Sequence, residues 1–295
     1  MQPVRRAYLE AHFAVFLYGF TAILGDLIQL PATILVWWRV LITSISLLVL
    51  IQFGRHLHTI PRKLVLQYMG IGIIIGLHWI TFFGSVKYAN ASVAMVCYAT
   101  TAFFASVLEP LLTTKKLQKM ELLLGFLVIP GMVLIAQSVP KGMLFGIFLG
   151  LLSAILIACF AIFNKKLVYE ADSASITFLE LSSSWLFISL CLPFFYYFSI
   201  ESPFWPSKMD WIYLLILSLL CTTLAFVLNL RSLKHISAFT STLIGNLEVL
   251  YGIILAIVIL KENKELSFSF YIGAFIVLIT VFGHPFLNKK NEGGV

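Results

Sequence analysis

Gly245-Asn246-Leu247-Glu248-Val249-Leu250-Tyr251-Gly252 lies inside an apolar run that extends from about Ser237 to Leu260. About 20 helical residues at about 1.5 Å each cross the hydrocarbon of a bilayer, so the run predicts a transmembrane helix. Glu248 follows Ser237 by 11 residues, which puts its carboxyl about 16 Å in, near the midplane. A charge at that depth costs at least about 2.5 kcal/mol on insertion scales. Such residues face the inside of a helix bundle and mark substrate or ion paths.

The rest of the chain has the same character. Of its 295 residues 60% are hydrophobic and only 11% charged, against about 25% charged in soluble domains. This composition predicts an all-α integral membrane protein. The net charge of +7 reads as surplus Lys and Arg in cytoplasmic loops, and nucleic acid is excluded as a partner. Cys97, Cys159, Cys191 and Cys221 all fall in apolar runs and form no CxxC pair. Neither a disulfide framework nor a zinc site is suggested, His56-x-His58 lacks metal partners, and no cofactor is expected. Arg5-Arg6 ahead of Ala11–Phe20 looks like a signal peptide, but the many spans that follow favour an uncleaved first helix.

Hydropathy and the punctuation at Pro31, Pro61, Pro140, Pro203 and Pro206 divide the chain into ten transmembrane helices. They are expected at about 8–25, 32–53, 64–86, 91–113, 120–138, 142–163, 175–199, 209–231, 237–260 and 267–287. Ten spans put both termini on one side. On that side fall Arg5, Arg6, Arg55, Arg62, Lys63, Lys115, Lys116, Lys119, Lys165, Lys166, Arg231, Lys234, Lys289 and Lys290. Only Lys87, Lys141, Lys208, Lys261 and Lys264 fall on the other, and Arg39 lies within the second span. The bias predicts an N-in/C-in arrangement.

The chain also reads as two halves. Asn90-Ala91-Ser92-Val93 opens the fourth span and Ile236-Ser237-Ala238-Phe239 the ninth. Gly125 follows Ser92 by 33 residues and Gly273 follows Ser237 by 36. Five spans per half is an odd number, so the second copy must be inverted, a common transporter build with the site near the midplane. The expected units are 1–140 and 141–288, each a five-helix repeat, and a short cytoplasmic tail, 289–295. The competing reading is that hydrophobic hairpins simply look alike.

Tyr18-Gly19-Phe20-Thr21, Arg39 in Trp37-Trp38-Arg39, Ala105-Ser106-Val107-Leu108-Glu109-Pro110, and Asn246-Leu247-Glu248 before Tyr251-Gly252 together resemble EamA-type ten-helix transporters of the drug/metabolite transporter (DMT) superfamily. Val249 stands where the related Asn-Leu-Glu-Pro pattern has proline, so no proline-driven kink is implied. The resemblance implies two EamA-like repeats in a bacterial inner membrane, exporting or exchanging a small metabolite such as an amino acid. It also suggests a working monomer, with a homodimer the other possibility.

The candidate binding residues are Glu248, Asn246, Arg39, Glu109, His78, Trp79, Tyr98 and Thr222. Glu248 shares a stripe with Ser237, Ser241, Gly245, Gly252 and Ala256, so it should face protein. It reads as a ligand for a substrate amine or a proton, or as a carboxyl bonded to neighbouring helices. Glu109, near the cytoplasmic end, could serve a site or pair with Lys115 or Lys116. Arg39 could bind a substrate carboxylate, but pairing with a buried glutamate is the expected role. His78 reads first as a histidine satisfied by a neighbour, and Asn164 and Asn229 as helix caps. Gly146, Gly150, Ala154 and Ala158 predict a close helix contact.

These features favour a secondary transporter working by alternating access, with a small-molecule substrate, the lipid bilayer and, as candidate coupling ion, protons as partners. Multidrug efflux of cationic or aromatic compounds is the alternative, and a membrane-embedded lipid enzyme is disfavoured because the acids are scattered.

Overall fold

A computed structural model describes residues 3–50, 60–114, 119–167, 170–171, 173–198, 203–233 and 244–292. The expectations placed on His56, His58, Lys115, Lys116, Ser237 and Ser241 lie outside the described residues. The described chain is helical throughout: α1 (Pro3–Leu27), α2 (Ala32–Leu50), α3 (Arg62–Tyr88), α4 (Ala91–Ala99), α5 (Thr101–Leu112), α6 (Lys119–Ser138), α7 (Leu144–Leu167), α8 (Ser173–Phe198), α9 (Lys208–Leu215), α10 (Ala225–Leu233), α11 (Leu247–Leu255) and α12 (Phe268–Glu292). Seven helical segments are long and apolar enough to cross a bilayer, accompanied by three shorter apolar helices, Val128–Ser138, Leu247–Leu260 and Phe268–Thr280. Large apolar side chains such as Leu190, Phe268 and Phe275 are exposed on the outside, as lipid contact requires.

Local chemistry sets the helix ends. The Asn90 side chain accepts from the Val93 amide and caps α4. Ser207 and Asp210 form a reciprocal capping box at α9. Lys261, at φ 59°, ends the helical turns Ala256–Leu260 in the left-handed conformation.

Several departures from regular α-helix were not visible in hydropathy, among them π-helical turns at Ala256–Leu260. The fourth expected span breaks at Thr100, whose amide donates to Cys97 O rather than continuing the α pattern. The ninth has a turn at Asn246, just before α11; the break occurs without the proline of the related pattern. Between α9 and α10 the chain winds as a π-helix, Ile216–Leu224, a widening often found at functional positions.

Packing follows the small residues. α7 lies against α3, α4 and α5, while α1 lies against α10, α11 and the π-helix. α6 packs on α12, and α8 on both α2 and α3. The stripe of α7 behaves as expected: a Cβ at Gly146 would come within 2.6 Å of Ala89 Cβ, and one at Gly150 within 2.6 Å of Cys97 Cβ. α6 and α12 cross at Gly131 and Gly273, where each glycine meets the carbonyl of the other. Such contacts let backbones approach closely where lipid supplies no hydrophobic drive.

Candidate functional site

A cavity of about 370 Å³ lies among α1, α2, α3, α4, α7, α8, the π-helix, α10 and α11. Its wall contains Arg39, His78, Trp79, Tyr98, Thr222 and Glu248, so six of the eight expected residues converge on one space. The wall also extends through Leu47, Phe160, Glu180 and Asn229. These lie toward the end of the bundle at which α1 and α3 begin.

Arg39 is 3% exposed, and its partners differ from the expected ones. Among the described residues the ion pairs are Arg6–Glu10 and Lys165–Glu109, so Arg39 is not paired with a buried glutamate. Its Nε and Nη2 donate to Thr222 Oγ1 at 3.2 and 3.1 Å. Its guanidinium sits 4.3 Å from the Trp79 ring centroid, a cation–π contact strengthened by desolvation. The π-helix makes this possible. Thr222 Oγ1 donates to Leu217 O five residues back, at 2.7 Å, which leaves its lone pairs for Arg39. An α-helical turn would direct that hydroxyl to the carbonyl three or four residues back.

Glu248 is half-buried in the first turn of α11 and opens into the cavity. The stripe argument therefore holds with a difference: Gly252 and Ala256 are buried against protein, but Gly245 and Glu248 face the open space. His78 is held as expected by a neighbour and still lines the cavity. Its Nδ1 lies 3.0 Å from Ser153 O and 2.8 Å from Ser153 Oγ. A carbonyl can only accept, so Nδ1 is the donor. Tyr98 stands 6.0 Å from the His78 ring.

Two expected residues are not in the wall. Glu109 meets Lys165 at 3.2 Å on an exposed face. It follows Tyr98 by 11 residues, with the break at Thr100 between them. Asn246 forms the turn that starts α11.

Glu180 was missed. It is 3% exposed, lines the cavity, and accepts from Asn164 Nδ2 at 2.9 Å. Asn164 is thus a carboxylate partner and not a helix cap, and Asn229 lines the cavity. The signal was present: an acid inside an apolar span, though only one to two turns from its start, where Glu248 lies about three turns in. Tyr18 and Thr21 also line the wall.

The opposite end of the bundle is closed. Glu262 accepts from the Ala91 and Ser92 amides, each at 2.9 Å, and ties the turn after α11 to the start of α4. Burial pushes the Glu262 carboxyl up, with the Ser92 and Ala91 hydrogen bonds pulling it back. Asp210 Oδ1 accepts from the Gln29 amide at 2.7 Å and ties α9 to the α1–α2 turn. Lys87 Nζ donates to Asp26 O and Ile28 O. Trp37, Trp38, Trp185, Phe204 and Trp211 form a cluster of edge-on and tilted ring contacts.

The comparisons with known proteins point one way. The model of a family described as "EamA-like transporter family" matches residues 5–137 and again 144–284. An "Uncharacterized transporter YetK" of Bacillus subtilis (strain 168) is 26% identical over 291 residues, covering 94% of this chain and 86% of that protein. A solved crystal structure of 14% identity superposes with a TM-score of 0.62, covering 97% of this chain and 98% of its own. At that identity the superposition bears on the fold alone.

Proposed function

The chain belongs to the EamA-like transporter family, and from that premise we propose that this multi-pass membrane protein exports or exchanges a small metabolite, an amino acid or related compound, by alternating access. The observation that carries the reading is a largely apolar cavity, with Arg39 and Glu248 in its wall, that extends toward one end of the bundle while the other end is tied shut.

The family match falls in two segments, which supports units of 1–140 and 141–288 followed by the tail 289–295. Their packing supports inversion. Exchanging the halves turns the contacts of α1 with α10 and α11 into those of α7 with α3 and α4, and returns α6 on α12 to itself. The breaks at Thr100 and Asn246 occupy corresponding helices. The seven long segments and three shorter apolar helices fit ten spans. With N-in/C-in orientation the cavity faces the cytoplasm, and the Glu262, Asp210 and Lys87 ties close the outer side of a bacterial inner membrane. Rocking of the halves would open those ties and close the inner side.

In this mechanism Glu248 carries a proton or holds a substrate amine. In proteoliposomes loaded with an amino-acid mixture, Glu248→Gln is expected to reduce proton-driven uptake at least tenfold with the protein still folded. Unchanged coupled transport removes Glu248 from that role. The aromatic wall formed by Trp79, Phe82, Tyr98, Phe160 and Phe226 favours a second reading, efflux of cationic aromatic compounds. Toxin resistance without amino-acid counterflow would select it.

A further inference from the structure

Glu180 is a buried acid that the transport cycle described above leaves unused. It follows the first residue of α8, Ser173, by seven positions, so it stands about 10 Å from the end at which that helix begins. Its side chain lines the cavity. The turn that carries it is clamped. Ser183 Oγ shares its donation between Glu180 O at 2.8 Å and Met69 O of α3 at 3.1 Å. A Cβ at Gly72 would collide with Glu180 O, so α3 and α8 meet there backbone to backbone. Asn164 Nδ2 donates to Glu180 Oε1 at 2.9 Å. The second oxygen, Oε2, makes no hydrogen bond among the described residues, yet it does not belong to the buried polar atoms left without a partner; it keeps accessible surface on the cavity. The carboxylate is therefore oriented before any ligand arrives.

No cation answers this charge among the described residues. The lysines that follow Asn164 on α7 turn elsewhere: Lys165 pairs with Glu109, and Lys166 donates to Leu112 O. Arg39 is held by Thr222, and its charge acts on Glu248. The wall thus sets one fixed cation, Arg39, against two acids, Glu248 and Glu180, and Glu180 is the acid without a counter-charge. A buried carboxylate in that state is costly unless a positive charge joins it. We propose that Glu180 is the ammonium subsite of this cavity, with Oε2 receiving the cationic head of the substrate, and that the substrate is a small organic monocation with an apolar body. An ammonium N–H on a carboxylate oxygen is a charge-assisted bond, and one unbalanced negative charge matches one positive charge. Ile157, Phe160, Leu181 and Phe226 supply an apolar wall for the body. The cavity is at the small end of the range for ligand pockets, which suits a compound of metabolite size. Among amino-acid relatives, this selects those that keep the amine and lack a free carboxylate. Asn164 acts through Glu180 as a positioning residue, and Glu248, which already faces Arg39, is left for the proton.

This subsite deepens the transport reading and rests on it for the role of the cavity, and the experiment keeps the two apart. The full chain in nanodiscs is challenged at neutral pH with 2-phenylethylammonium and with 2-phenylethanol, which match in shape and differ in charge. The amine is expected to bind at least tenfold tighter, while Glu180→Gln abolishes the difference and Glu180→Asp keeps part of it. Asn164→Leu should weaken the amine more than the alcohol. A second measurement needs no variant and so stands even where Glu180→Gln fails to fold. N,N′-dicyclohexylcarbodiimide, a membrane-permeant reagent for carboxyl groups, is expected to label Glu180, and the amine but not the alcohol to protect it, as read by mass spectrometry of the labelled peptide. Equal binding of amine and alcohol, binding of neither, or a Glu180 that is not labelled overturns the proposal. So does protection of Glu248 without Glu180, or a preference for the amine that is lost in Glu248→Gln and kept in Glu180→Gln. In proteoliposomes, amine bound at Glu180 without counterflow of amine or amino acids sinks the transport reading and leaves the subsite; amino-acid counterflow with no preference for the amine does the reverse.

Discussion

Replacing Glu262 by alanine should open the closed end of the bundle. The side chain is 5% exposed and accepts from two backbone amides, Ala91 and Ser92, at 2.9 Å each, both at fully buried residues in the first turn of α4. Its removal leaves two buried donors without acceptors, at about 1–3 kcal/mol each. Part of that loss is offset because a buried carboxyl is no longer held in the closed form. A net shift of about 2–3 kcal/mol follows, or about 30- to 150-fold in the closed-to-open ratio at about 1.4 kcal/mol per decade. Spin labels at exposed Tyr88 and Asn263, in a background without the four native cysteines, would read the change as a longer distance population in Glu262→Ala. The sign of the pH response follows from the raised carboxyl. If the closed form holds the proton more readily than the open one, acid on that side favours closure, and the alanine variant loses this response. An unchanged distance distribution in Glu262→Ala, with the protein folded, would refute the idea that this tie helps hold the gate.

Two further outcomes are expected. Gly273→Val places a Cβ 2.7 Å from Gly131 O, so the α6–α12 crossing must spread, at a cost of about 1–3 kcal/mol; thermal unfolding in detergent should show it, and an unchanged Tm would show that the crossing is not tight. Glu109→Gln breaks a pair whose Lys165 is 74% exposed. Surface pairs are worth about 0–1 kcal/mol, so counterflow should stay at the wild-type level, and a loss of transport would return Glu109 to the site.

Membrane embedding, the helical segments and the two chargeable groups that matter most, Glu248 and Arg39, were legible from composition and hydropathy. These are local properties: a run of apolar residues must form a helix in lipid to satisfy its backbone, and a charge within it stands out. The close approach of α7 to α3 and α4 was legible for the same reason, from glycine and alanine recurring every four residues. What each polar group touches was not. Arg39 and Thr222 are 183 residues apart, and Asp210 and Gln29 are 181 apart. No local pattern records such pairs. Glu180 stands near the start of its span, where a carboxyl is expected to meet water; only the packing of α7 and α8 on α3 shows it buried and bonded to Asn164. The π-helix was hidden because its residues are ordinary apolar and hydroxyl types, and its register depends on what Thr222 meets. Sequence alone determined that this chain lives in a membrane with a carboxylate and a guanidinium in its interior. Tertiary structure alone decided that they face one cavity without pairing, because helix packing sets the distance between charges that the chain keeps far apart.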